Sequence, residues 1–231
     1  MSRSTAFPSP SGQRPYTHEM VVVHRVFRRE SALAPRLVRA VPDGDTTRAA
    51  RIATHLDDYV MGLHHHHSLE DELVWPLLHA RGADGDLVDR MEQQHQRIDR
   101  SLTIVAEWLP VWLRDADPMA REELALALTE HRTALLEHLD DEERLVLPLV
   151  ATHLTVAEWD VLGRRGLEEL PRNKVMTAVG AILEDATPEE RAYFLGKAPF
   201  LGRLLWKTVG RRQYVASCRA LRGALPEEAG R

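Results

Sequence analysis

Apolar residues recur three and four positions apart through most of the chain, and the stripes they form predict helices rather than strands. From Thr17 onward Met20, Val23 and Phe27 share one stripe, interrupted by His24, and Pro35 kinks or ends this first helix. Pro42-Asp43-Gly44-Asp45 reads as a turn, with Asp45 or Thr46 as the cap of a second helix over about 47–79. That helix carries Tyr59, His66, Glu70 and Pro76, and Arg81-Gly82-Ala83-Asp84-Gly85 ends it. A third helix over about 86–113 has Val88, Met91, Ile98 and Leu102 on its stripe, with His95 among them. Asp117 and Pro118 suit the cap and first position of a fourth helix, which runs from Met119 to about His153 and carries His131, His138, Glu142 and Pro148. Period-two alternation and glycine-rich phosphate loops are absent from the sequence. Four long helices joined by short turns predict an all-α fold, an antiparallel up-and-down four-helix bundle over residues 17–153.

Beyond residue 153 the helical patterns shorten. Thr155/Glu158 and Thr187/Glu190 have capping-box spacing, and helices are expected near 156–166, 172–185, 188–195 and 200–222. Residues 154–224 therefore read as a helical extension packed on the bundle, between a disordered tail at 1–16 and a short tail at 225–231. The last helix sets Arg203, Lys207, Arg211, Arg212, Arg219 and Arg222 against Leu201, Leu204, Leu205, Trp206 and Val209, with no acid among them. It is expected to dock on the bundle by its apolar side. A membrane surface or a protein partner is the alternative.

Composition narrows the function classes. A formal charge of −5 gives no reason to expect a nucleic-acid partner. The single cysteine, Cys218, excludes an internal disulfide framework and a cysteine-held cluster, which suits a reducing compartment. No stretch is long and apolar enough for a membrane span, and no apolar signal core is visible at the N-terminus. The expected location is cytoplasmic.

The polar residues that interrupt the stripes carry the chemistry. His66 and Glu70 are four apart and point the same way on a helix, on a face continued by Leu63, Leu73 and Leu77. A carboxylate buried there costs several kcal/mol unless a positive partner compensates it. The pattern returns 72 residues later as His138 and Glu142, and in both copies a proline follows the glutamate by six residues. With His24 and His95, four imidazoles and two carboxylates come from four helices. As unrelated buried polar groups each would need its own partner; together they match a dinuclear transition-metal centre, and imidazole with carboxylate suits iron or manganese.

These residues resemble the hemerythrin-like, HHE cation-binding family of non-haem di-iron four-helix bundles. Its repeated His-x-x-x-Glu, followed by an aromatic residue or leucine and a proline, is matched by His66, Glu70, Trp75 and Pro76 and by His138, Glu142, Leu147 and Pro148, within residues 17–153. The resemblance, nearest to actinobacterial and mycobacterial members, implies that His24 and His95 are the single histidines of the first and third helices. It also implies that Glu70 and Glu142 bridge two iron ions joined by an oxo or hydroxo group, manganese being the second choice. Oxygen-carrying hemerythrins have a further histidine four residues after the third-helix one, where this chain has Asp99. Asp99 either faces solvent or orients His95. Tyr59 and His131, each seven residues before a ligand, are the candidates to complete the shell, to deliver a proton, or to hydrogen-bond to the ligands. In the run His64–His67 only one residue in four can follow the stripe, so His64, His65 and His67 are expected at the periphery. Glu72 and Glu143 should face outward or pair with basic residues, and Trp75 and Trp108 should be core.

A di-iron centre with an open position binds O2, peroxide or nitric oxide. The favoured expectation is a redox protein handling peroxide or nitric oxide in oxidative or nitrosative stress, with Tyr59 or His131 as proton donor. The alternative is a non-enzymatic O2 or iron carrier, store or sensor. Either would bind a small diatomic or peroxide ligand, as a monomer or homodimer.

Overall fold

The computed structural model describes residues 14–223. The tail expected at 225–231 lies outside them, as does that at 1–16 except for Arg14–Tyr16. Tyr16 is no tail residue: its ring packs edge-on against Tyr193 at 4.8 Å. The described residues are helical, with no strand among them.

Four long helices dominate: α1 (His18–Arg39), α2 (Thr46–Leu73), α4 (Gly85–Asp115) and α5 (Pro118–Asp141). Side-chain caps fix three of their starts. Asp45 accepts from the Arg48 N–H at 2.9 Å, Asp84 from Leu87 at 3.2 Å and Asp117 from Ala120 at 2.8 Å. Helix α1 packs on α2 and α5, and α4 packs on the same two, so the long helices close a ring around a common interior.

Two of the expected helices are each divided. The second stops at Leu73 and resumes after Val74 as α3 (Trp75–Ala80); the fourth passes through a π turn (Glu142–Val146) into α6 (Leu147–His153). In both places a proline, Pro76 or Pro148, sits in the first turn of the new helix. Its missing N–H and its ring forbid a regular helix across the junction. Pro35, by contrast, is accommodated inside α1.

The interior is layered. One apolar cluster contains Met20, Leu69, Trp75, Met91 and Val146. The next contains Phe27, Leu63, Ile98, Leu135 and Leu139. A third contains Leu37, Leu56, Trp112, Leu124 and Leu128, with Trp108 packed at its edge. Each such side chain contributes about 1.5–3 kcal/mol on burial. Between the first two clusters each long helix, or the π turn that continues α5, places a polar residue: His24 between Met20 and Phe27, His66 between Leu63 and Leu69, His95 between Met91 and Ile98, Glu142 between Leu139 and Val146. The apolar layers on either side exclude water from this one.

The extension comprises α7 (Val156–Glu168), α8 (Arg172–Glu184), α9 (Pro188–Lys197) and a final rod of α10 (Phe200–Leu205), a π turn (Trp206–Gly210) and α11 (Arg211–Arg222). Both expected capping boxes form, at Thr155/Glu158 and Thr187/Glu190. Helix α7 packs on α2 and α8 on α1. Ion pairs join the extension to the bundle, among them Arg25–Glu190 at 2.8 Å, Arg165–Glu72 at 2.7 Å and Arg222–Glu30 at 3.1 Å. Burial pushes the Glu30 carboxyl up, but His55, Arg29 and Arg222 outweigh it and hold the pKa at about 2. The last rod departs from expectation. Leu201, Leu204, Leu205 and Val209 are exposed, and only Trp206 and Gly210 are buried, against α8. The rod seats on α8, and its C-terminal end reaches the bundle, where Arg48 donates to the Ala220 carbonyl at 2.7 Å, Leu221 packs at the edge of the third apolar cluster and Arg222 pairs with Glu30.

Candidate metal centre

Two groups of four buried side chains occupy the polar layer: His67, Glu70, His95 and His138 form one, and His24, His66, Glu70 and Glu142 the other. Within each group the ligand-capable atoms all lie within 4.8 Å of one another. All six residues expected as ligands are brought together, and His67 joins them. The expectation that His67 is peripheral is overturned: it is 4 % exposed, and its ring stacks on His95 at 4.0 Å between centroids. A single inward stripe admits only one of His66 and His67. Two groups side by side admit both, one on each flank of α2. Glu70 follows them by four and three residues and so reaches both groups. His64 stays at the surface, 3.4 Å from Asp99, and His65 is half-buried. The two sequence copies are not equivalent in space. His66 and Glu70 share a group, whereas His138 and Glu142 fall into different ones.

The hydrogen bonding at the rim fixes what points inward. His24 Nδ1 lies 2.9 Å from Glu143, His95 Nδ1 2.8 Å from Asp71, and His138 Nδ1 3.3 Å from the Gln94 carbonyl oxygen. These acceptors assign the ring proton to Nδ1, which leaves each Nε2 as a bare lone pair. The Nε2 atoms then converge, His24 on His66 at 3.3 Å and His95 on His138 at 3.2 Å. Glu143 is itself held by Arg28 at 3.0 Å, and Gln94 donates to Asp141 at 2.9 Å. Asp71 accepts the Trp75 indole N–H at 2.9 Å, so this core tryptophan also orients the residue that orients His95. Asp99 takes no part in that: Asp71 does what was open to Asp99.

Both carboxylate oxygens of Glu70, Glu142 Oε2 and His67 Nε2 are buried without a hydrogen-bond partner. Unpaired acceptors in a dry layer are costly, and one kind of group answers all of them at once, a cation. The donor set of imidazole and carboxylate fits iron or manganese. Protons take part of that role when no cation is present. Burial, with Glu142 and Asp71 alongside, pushes the Glu70 carboxyl well above its usual range. Burial opposes charge on His24, yet Glu142 and Glu143 prevail and raise its pKa to about 9. Glu142 is lowered despite burial, because His24, His138 and His95 surround it. Burial and neighbouring histidines drive His66 and His67 far below 6.5, and burial takes His138 to about 3 even though Glu142 works to raise it.

Tyr59 and His131 are not brought into either group. They lie two helical turns away, about 10 Å along α2 and α5, between the second and third apolar clusters. There the Tyr59 hydroxyl meets His131 Nε2 at 2.6 Å, and His131 Nδ1 meets Ser101 Oγ at 3.0 Å. Ser101 donates onward to the Ile98 carbonyl at 2.6 Å. The chain thus runs from Tyr59 O–H through a neutral His131 to Ser101, with each group supplied. Burial, with His64 nearby, lowers the His131 pKa to about 4, and burial together with Glu30 raises that of Tyr59.

Residues 16–150 match the family model of the hemerythrin HHE cation-binding domain. The chain belongs to that family. No curated protein and no solved structure matches it. Membership agrees with the all-helical structure and with histidine and glutamate clusters able to hold a cation. Three contributors are not singled out by the sequence. His67 is signalled only by its place three residues before Glu70 and Asp71 by its place next to it, while Gln94, one residue before His95, carries no signal.

Proposed function

We propose that this chain is a non-haem di-iron protein that binds and turns over small oxidants, hydrogen peroxide or nitric oxide and O2, in oxidative or nitrosative stress defence. The observation that carries the reading is Glu70: one buried carboxylate, both oxygens without a hydrogen bond, common to two ligand groups. Iron, when bound, supplies redox and Lewis-acid chemistry toward such ligands. In this reading His24, His66 and Glu142 hold one ion, His67, His95 and His138 the other, and Glu70 reaches both. Glu143, Asp71 and the Gln94 carbonyl hold ring protons at Nδ1, so that each Nε2 is free to coordinate. The apolar layers around Trp75 and Leu139 keep bulk water out. Tyr59 and His131 act from the adjoining layer, as a neutral hydrogen-bonded pair rather than as ligands. The short connections and the ring of contacts support an antiparallel order of the four long helices, and the lone Cys218 suits the cytoplasm.

Metal content and a visible spectrum of the purified protein, before and after peroxide, test this. The expected result is two irons per chain, oxo-to-iron charge-transfer bands and rapid O2 evolution. Protein made with ample iron yet containing no metal would end the proposal. Reversible oxygenation without turnover would assign it instead to a carrier, store or sensor.

A further inference from the structure

The rod over residues 200–222 has two unlike faces. Its inner face is built for close packing on α8. Trp206, Gly210 and Tyr214 follow one another at intervals of four, and Tyr214 approaches so closely that a Cβ at Gly180 would lie 2.4 Å from its ring. Tyr214 also reaches Glu184 at 2.6 Å, and Arg222 ties the end of the rod to Glu184 and Glu30 at 2.6 and 3.1 Å. The rod is thereby fixed in orientation, and its outer face is fixed with it. That face carries Phe200 at 73 % exposure and Leu201 at 64 %, followed by Leu204, Leu205 and Val209, all exposed.

Large apolar side chains grouped on a surface mark an interaction site. The charges around them indicate its chemistry. Between Pro199 and Leu225 there are six arginine or lysine residues and no acid, in a chain whose net charge is −5. Arg222 is engaged as above. Arg203, Lys207, Arg211, Arg212 and Arg219 form no ion pair with any described residue, and Lys207, Arg211 and Arg212 are exposed.

We propose that this outer face lies on an anionic lipid surface, with Phe200, Leu201, Leu204 and Leu205 entering the acyl boundary while Lys207, Arg211 and Arg212 meet the headgroups. No helix among the described residues is long and apolar enough to cross a membrane, so the rod rests on the surface rather than spanning it. A nucleic acid would answer the cations and leave the four apolar side chains in water. A second copy of the same face would set arginine against arginine. An anionic bilayer answers both features.

The test uses the full chain, floated with vesicles of phosphatidylcholine alone or mixed with phosphatidylglycerol. The protein should float with the anionic vesicles and not with the neutral ones. Leu204→Glu/Leu205→Glu and Arg211→Glu/Arg212→Glu should each weaken partitioning by on the order of tenfold or more. All four side chains are exposed, so the melting of these variants should match the parent by circular dichroism. Absence of flotation with anionic vesicles would overturn the proposal, as would flotation that neither double variant alters. DNA binding lost only in the arginine variant, without vesicle binding, would assign the face to nucleic acid and overturn it. A dimer dissociated by the leucine variant, again without vesicle binding, would assign the face to self-association and overturn it too.

Discussion

The bundle contains two buried polar layers, both placed on α2 and α5 by the same 72-residue offset, and they are opposites. In the layer of Tyr59, His131 and Ser101 each hydrogen-bonding group has a partner, and the chain ends on a backbone carbonyl. In the layer of the seven ligand candidates the rim is satisfied and the centre is not: both Glu70 oxygens lack a hydrogen bond and imidazole Nε2 atoms face each other. Periodicity treats the two alike, because both put a histidine on an apolar stripe. Hydrogen-bond satisfaction separates them. A polar layer that closes on itself is architecture, whereas one that leaves acceptors over is a site awaiting a cation.

The sharpest way to break this contrast is Glu70→Ala, which removes the carboxylate common to both groups. Metal analysis should show near-complete loss from both positions. Retention of half the metal would show that Glu70 serves one group only. Next comes a pair of neighbours: His67→Ala should lose about half the metal with the adjoining group intact, while His65→Ala leaves the content at the parental level. Equal behaviour would place the α2 register wrongly. In the other layer, Tyr59→Phe takes away the donor to His131 and should cost about 1–3 kcal/mol in denaturant unfolding, with metal content unchanged. A fall in metal content would make Tyr59 part of the centre.

The last effect is confined to acid. His131 titrates near 6.5 when unfolded and about 4 when folded, because burial opposes its charge. Between those values the unfolded chain takes up a proton that the folded chain refuses, so stability falls as pH drops through that window. His131→Gln should flatten that part of the pH–stability curve between about pH 6.5 and 4, and an unchanged slope would exclude His131 as its source.

Much of the helical framework was legible because it is local. Asp45, Asp117, Thr155 and Thr187 cap where their side chains can reach the third residue on, and apolar spacing defined the stripes. Residues 66, 70, 138 and 142 were legible as ligand candidates for the same reason. What escaped depends on neighbours distant in sequence. His67 is inward only because a second group of side chains from α4 and α5 waits on its flank. Asp71 supports His95 across a separation of 24 residues. The π turn at Glu142–Val146 reflects Pro148 and the packing of the layer together, and spacing alone projected a continuous helix through it. The apolar residues of the last rod suggest burial on the bundle, yet Leu201, Leu204, Leu205 and Val209 are exposed because the rod seats on α8 through Trp206, Gly210 and Tyr214 instead.

Helix α2 presents His66 and His67 on opposite flanks with Glu70 between them. A small rotation of this helix about its own axis would advance one imidazole toward its group while withdrawing the other. The adjacent pair therefore works as an alignment key: torque on α2 is resisted in both senses, and only one angular setting serves both sides. With the Tyr59–His131 hydrogen bond two turns away acting in the same sense, this is where rotational slippage of α2 is arrested.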